Sequence, residues 1–336
     1  MSVFTEELGV ELEAGMVRKG TRSPVNVLDL IDDGITTGRP FEALQYELGA
    51  WMAEFSTPVC RTVRDVENSF SRLEDLVPKG SELVFETCPF GLNVPLTAKP
   101  RYALVCEALA REHKSGALNP RYIAPWCSTQ FHFGVGDVSL PEALLLLNFL
   151  NNIAPYARLQ VVQKYGVMGA EGHLAIWTEP PSSKKERVPA PRWFGSFDEL
   201  HRFVANIPKL VTKNADGVWV IAEGIQSRIG DPEAEGTIWW HARLRGLLKT
   251  VEWRVFPSLT PVQAADLAGH MFTLIGAFGE YVAAHPGAWH TKEEAAGLYQ
   301  HLARSSYPFS FLVPPEPLSD GAWWAMTYDH VLETAL

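Results

Sequence analysis

Ten side chains could carry chemistry in this sequence: Glu11, Glu13, Glu54, Gln130, His132, His241, Arg243, Arg245, Glu252 and Arg254. Each belongs to a run that alternates polar and apolar residues, so the polar members of a run point the same way. Four carboxylates and an imidazole are hard oxygen and nitrogen donors of the kind that hold Mg2+ or Mn2+, ions that keep several waters and bridge phosphate oxygens. The arginines offer forked donors to a phosphate or a carboxylate. No lysine stands among these positions, and carboxylates gathered without cationic partners repel one another unless protons or metal ions neutralise them. On this pattern two readings stay open: a site that handles metal ions and anions, or the wet outer face of a sheet.

The elements that must position these groups follow from the same alternation. Residues 237–258 read as a hairpin, with His241, Arg243 and Arg245 opposite Trp240, Ala242 and Leu244 on its first strand. On its second strand Thr250, Glu252, Arg254 and Phe256 are expected on one face and Val251, Trp253 and Val255 on the other. Residues 8–14 place Glu11 and Glu13 opposite Val10 and Leu12. A strand within 46–57 carries Glu54, and 128–135 carries Gln130 and His132 opposite Phe131 and Phe133. Residues 82–87 and 218–223 are strand-like. Helix starts are marked by Thr62 with Asp65, Ser139 with Glu142, Ser196 with Glu199, Thr260 with Gln263, and Thr291 with Glu294. The helix from Ser139 is expected to end near Ala154, and the one from Thr260 near Ala284. Helices are expected also over 101–114 and 323–336. Strands apolar on one side and separated by helical segments suggest an α+β fold, a mostly antiparallel sheet with helices packed on one face.

The 336 residues show no internal repeat and no low-complexity linker, so residues 1–336 are expected to form a single domain. Residues 178–192 hold four prolines and a charge run, which excludes a regular element and leaves a surface loop or a mobile lid. With 29 Lys and Arg against 39 Asp and Glu, the net charge of −10 opposes nucleic acid and anionic membranes. The most apolar run, 143–150, is far short of the ~20 residues that span a bilayer. The N-terminus lacks the pattern of a signal peptide. Four scattered cysteines form neither a disulfide framework nor a zinc motif, and a cytoplasmic location is expected. There is no P-loop, no dinucleotide-binding glycine motif and no nucleophile elbow.

Five segments occur together in order: Gly9-Val10-Glu11-Leu12-Glu13; Ala53-Glu54-Phe55-Ser56-Thr57-Pro58-Val59; Gln130-Phe131-His132-Phe133-Gly134; Trp239-Trp240-His241-Ala242-Arg243; and Thr250-Val251-Glu252-Trp253-Arg254-Val255. The set resembles the glutamate–cysteine ligase-like carboxylate–amine ligases, whose catalytic sheet is glutamine synthetase-like, over about residues 8–280. The resemblance implies a curved antiparallel sheet with ATP and Mg2+ (or Mn2+) on its concave side. It implies metal ligation by Glu11, Glu13, Glu54, Glu252 and His132, and nucleotide contacts from Gln130, His132, Arg245 and His241. It implies catalytic roles for Arg243, Arg254 and Glu252. The activity implied is ATP-dependent amide formation between a small-molecule carboxylate and an amine, through an acyl phosphate, with a γ-glutamyl product if the acid is glutamate. The sequence departs from the family at His173, where an arginine is expected, which leaves the acid open, and separately at Leu244, where a proline is expected. Another phosphoryl transferase on the same fold, or a non-catalytic nucleotide- or partner-binding relative, are the rival expectations, and homo-oligomerisation is left open.

Overall fold

Strand β1, Leu8–Arg18, lies at the middle of an eight-stranded antiparallel sheet in this computed structural model. The structure describes residues 4, 6–31, 35–36, 42–91, 94–97, 99–112, 126–167, 192–231, 240–246, 248–286, 291–305, 308–323 and 326. The other strands are β2 (Ile35–Thr36), β3 (Ala43–Tyr46), β4 (Met52–Ser56), β5 (Ser81–Val84), β6 (Ser128–Gly134), β9 (Ala242–Arg245) and β10 (Thr250–Pro257). Their order is β2-β3-β4-β1-β6-β10-β9, with β5 paired to the far end of β1. A separate two-stranded ladder joins β7 (Val211–Lys213) and β8 (Trp219–Ile221).

Alternation sorts this sheet into two faces. Val10, Leu12, Ala53, Phe55, Phe131, Phe133, Val251 and Trp253 are all buried in one continuous core. Two long helices that lie against it are α4 (Leu140–Tyr165) and α6 (Pro261–Ala284). Both open with the reciprocal side-chain and backbone bonds that the Ser139/Glu142 and Thr260/Gln263 spacings predict. Shorter helices are α1 (Val63–Phe70), α2 (Leu73–Leu76), α3 (Pro100–Glu112), α5 (Phe197–Ala205) and α7 (Ala296–Arg304). No helix among the described residues is long and apolar enough to cross a membrane.

Several expectations change. The helix that Thr62 opens ends at Phe70, and α2 follows after Ser71 and Arg72. Thr291 and Glu294 exchange their capping bonds, but regular helix begins only at Ala296. Helix α4 continues eleven residues past Ala154, through Pro155, to a left-handed Gly166. Proline cannot donate to the carbonyl four residues back. Here that carbonyl, on Asn151, accepts instead from the Trp323 indole Nε1 at 3.0 Å, so the helix runs on without an orphaned acceptor.

The register of β10 against β6 slips by one residue between Trp253 and Phe256, a β-bulge. It turns Phe256 off the polar face, where strict alternation puts it, and into the core at 4.7 Å from Trp253 and 5.6 Å from Phe131. The segments 178–191 and 327–336, which hold the expected loop and most of the last expected helix, lie outside the described residues, as does His173. Cys60, Cys106 and Cys127 are buried free thiols and Cys88 is half-buried.

Candidate functional site

Cross-strand pairing brings the polar residues of the separate runs into one patch. Glu13 faces Glu54, Glu11 faces Gln130, and Glu252 faces His132 on one side and Arg243 on the other. Residues directly opposite in an antiparallel ladder share a face about 5 Å apart, so pairing alone assembles the cluster.

Two ligand-like groups result. In one, single oxygens of Glu13, Glu47 and Glu54 lie within 4.8 Å of one another. In the other, Glu11, His132 and Glu252 do the same, with His132 Nε2 3.1 Å from a Glu11 oxygen. The His132 Nδ1 lies 3.2 Å from the Thr250 hydroxyl.

Glu13 is held rigidly. It accepts from the Ser128 backbone N–H at 2.6 Å, the Ser128 hydroxyl at 2.7 Å and the Gln130 amide at 2.6 Å. Even so, burial and then the charge of Glu47 push its pKa up to about 8. Burial raises Glu54 well above the usual carboxylate range, with Glu11, Glu47 and Glu13 adding to it, and burial raises Glu47 as well. Three acids strained toward protonation in this way form a set that a cation would relieve. Gln130, 2% exposed, directs its amide nitrogen at Glu13 and so acts on the cluster from behind.

Glu252 is the hinge between the acids and the arginines. Fully enclosed, it accepts two hydrogen bonds from Arg243 and one from Arg245 Nη1 at 2.8 Å, and Arg254 Nη1 lies 3.5 Å away. Burial opposes its charge, but Arg243, Arg254 and Arg245 outweigh burial and hold it well below the usual range. In Glu11 the neighbouring His132 likewise outweighs burial and keeps the pKa low. Burial, then Arg254, depress Arg243 to about 10. Arg254 sits at the bulge of β10, and its enclosed Nε has no hydrogen-bond partner among the described residues.

His241 is among the residues expected to contact a nucleotide. Its ring is fully enclosed, edge-on to Trp323 at 5.3 Å, and burial followed by Arg158 and Arg254 depress it to about 3. Trp323 comes from the far end of the chain, and its contact with His241 is beyond what strand alternation can reveal. Glu47, conversely, escapes a reading based on alternation because it lies in the turn after β3, one residue outside the ladder. The only sequence signal for it was one more unpaired Glu seven residues before Glu54.

No protein-family model and no curated protein matches the chain. Among solved structures it is similar to a bifunctional glutathione synthetase from Pasteurella multocida, at 13% identity and a TM-score of 0.40, over 98% of this chain and 48% of that one. It is also similar to a glutamate–cysteine ligase from Francisella tularensis in complex with AMP, at 10% identity and a TM-score of 0.42, over 98% of this chain and 82% of that one. The chain therefore spans about half the length of the glutathione synthetase chain. Similarity at this level is too low to assign chemistry, which is argued from the site alone.

Proposed function

We propose that the chain is a single ATP-dependent carboxylate–amine ligase unit. The observation that carries this reading is that two ligand triads, Glu13/Glu47/Glu54 and Glu11/His132/Glu252, adjoin an arginine set that shares Glu252 with the second triad. Glu13, Glu47 and Glu54 would hold one Mg2+ or Mn2+, and Glu11, His132 and Glu252 a second. Divalent ions bound there neutralise and orient the phosphates of a nucleotide.

The rest of the work falls to this chain's own groups. Ser128 and Gln130 fix Glu13, and Glu252 fixes Arg243 and Arg245. Arg254, with a donor to spare, meets the charge that develops when a substrate carboxylate oxygen attacks the γ-phosphorus and the bond to ADP breaks. The amine then adds to the acyl carbon, phosphate leaves, and the nitrogen loses a proton, giving amide, ADP and phosphate. The glutamate side chain is the acid suggested by the sequence resemblance.

The test is ADP release from Mg-ATP with free amino acids, singly and paired with amines, the products read by mass. ADP formed only with an acid and an amine together, with a new amide mass, is the expected result. A stable phosphorylated acid would make it a phosphoryl transferase instead. Absence of Mg-ATP binding would remove the catalytic reading altogether.

A further inference from the structure

Helix α3 and the β7–β8 ladder pack on each other through Val105, Ala108, Leu210 and Val211, forming a second small core beside the main sheet. The first turn of α3 meets the end of β3. The Tyr102 ring stands edge-on to Tyr46 at 6.0 Å, and Tyr46 is the residue before Glu47. The Arg101 guanidinium lies 5.1 Å over the Trp219 ring, which Lys213 also approaches at 5.2 Å. The Arg101 Nε is enclosed and has no hydrogen-bond partner among the described residues. A buried guanidinium N–H without an acceptor is costly, and native structures rarely keep one without a use.

One hydroxyl ties these groups together. The charge of Glu47, then burial and the charge of Glu54, push the Tyr102 hydroxyl up, while Arg101 acts in the opposite sense. Glu47, Glu54 and Arg101 are thus all within electrostatic reach of Tyr102, which stays protonated and able to donate at any physiological pH.

We propose that Arg101, with Tyr102 beside it, holds an oxyanion at the Glu47 end of the site, a carboxylate or a phosphate group of a substrate. The aromatic platform of Trp219 fixes the plane of the guanidinium and leaves its Nε–H as a donor for an anionic group. That the anion belongs to a ligase substrate rests on the reading above; that the pair binds an oxyanion does not.

The experiment is calorimetric titration of the full chain, without divalent metal, with inorganic pyrophosphate and separately with glutarate. Wild type is compared with Arg101→Met, Arg101→Lys and Tyr102→Phe. Arg101→Lys keeps a cation over Trp219 and removes the Nε donor, so it decides the matter even if Arg101→Met does not fold. At least one anion is expected to bind wild type with roughly millimolar Kd, weakened about tenfold by either Arg101 variant and less by Tyr102→Phe. Weakening of pyrophosphate alone identifies phosphate as the ligand; weakening of glutarate alone identifies carboxylate. If neither anion binds wild type, or the folded Arg101 variants bind both within about twofold of wild type, the proposal is wrong. Binding of a non-hydrolysable ATP analogue with Mg2+, measured on the same wild-type sample, reports on the ligase reading separately.

Discussion

Arg243 and Glu252 stand opposite each other across the β9–β10 ladder and are joined by a fork: Nε donates to one carboxylate oxygen at 2.8 Å and Nη2 to the other at 2.9 Å. Both are buried. A pair of this kind adds little net stability over apolar packing, yet removing one partner strands a buried charge and costs roughly 3–5 kcal/mol. Glu252→Gln is therefore expected to lower the denaturant midpoint sharply and abolish turnover. Arg243→Lys keeps the charge, loses the fork, and should fold while losing about tenfold or more in kcat/KM. Turnover near wild type in a folded Arg243→Lys protein would rule out a role for the fork in catalysis.

Glu47→Gln should act with opposite signs in the presence and absence of metal. Without metal, Glu47 repels Glu13 and Glu54, so its removal should raise the thermal midpoint in chelator. With metal, one oxygen ligand is lost and Mn2+ binding should weaken about tenfold or more. Melting curves in chelator and in Mn2+, crossing over between variant and wild type, are the expected signature. Parallel curves would show that Glu47 is not a ligand.

Asn151 secures the outer edge of β9. Its amide nitrogen donates to the Ala242 carbonyl at 3.0 Å, and its oxygen accepts from the Ala242 N–H at 2.8 Å. Ala242 immediately precedes Arg243, so the helix sets the position of the arginine fork through the backbone. Asn151→Ala leaves a buried N–H and C=O unpaired, a cost on the order of 2–4 kcal/mol in urea unfolding. Turnover should fall further than in an equally destabilised core variant such as Leu150→Ala, which does not touch β9 hydrogen bonding. Equal losses would limit Asn151 to stability.

His241 makes stability depend on acid. Its pKa is about 3 in the folded protein against an ordinary 6.5, because burial and the flanking Arg158 and Arg254 disfavour the imidazolium. Above about pH 6.5 both states hold it neutral. As pH falls from there toward about 3, the unfolded chain takes up a proton that the folded one refuses, and stability is lost at roughly 1 kcal/mol per pH unit from this group. His241→Phe should flatten the dependence of the urea midpoint on pH between pH 6 and pH 4. Curves of equal slope would mean that other groups set the acid limit.

Local sequence signals settled more of this molecule than its size would suggest. Period-2 runs sorted Glu11, Glu13, Glu54, Gln130, His132, Arg243 and Glu252 from the core residues beside them, because backbone pleating fixes side-chain direction whatever the partner strand. Thr62, Ser139 and Thr260 marked helix starts because a cap bonds only to its own first turn. What depended on distant partners was not readable. The bulge that buries Phe256 exists only in the pairing of β10 with β6, and α4 survives Pro155 only because Trp323 supplies a donor from the chain's far end. The same tryptophan stands edge-on to His241, a contact that strand alternation does not show. Glu47 joins the acid cluster from the residue after β3, a position without periodicity. The sequence by itself determined which strand residues stand opposite the apolar core and where most helices begin, since those depend on near neighbours. Only the tertiary structure decided which acids share a cation-sized space and which arginine donors are left without partners, since those are distances between segments that meet only after folding.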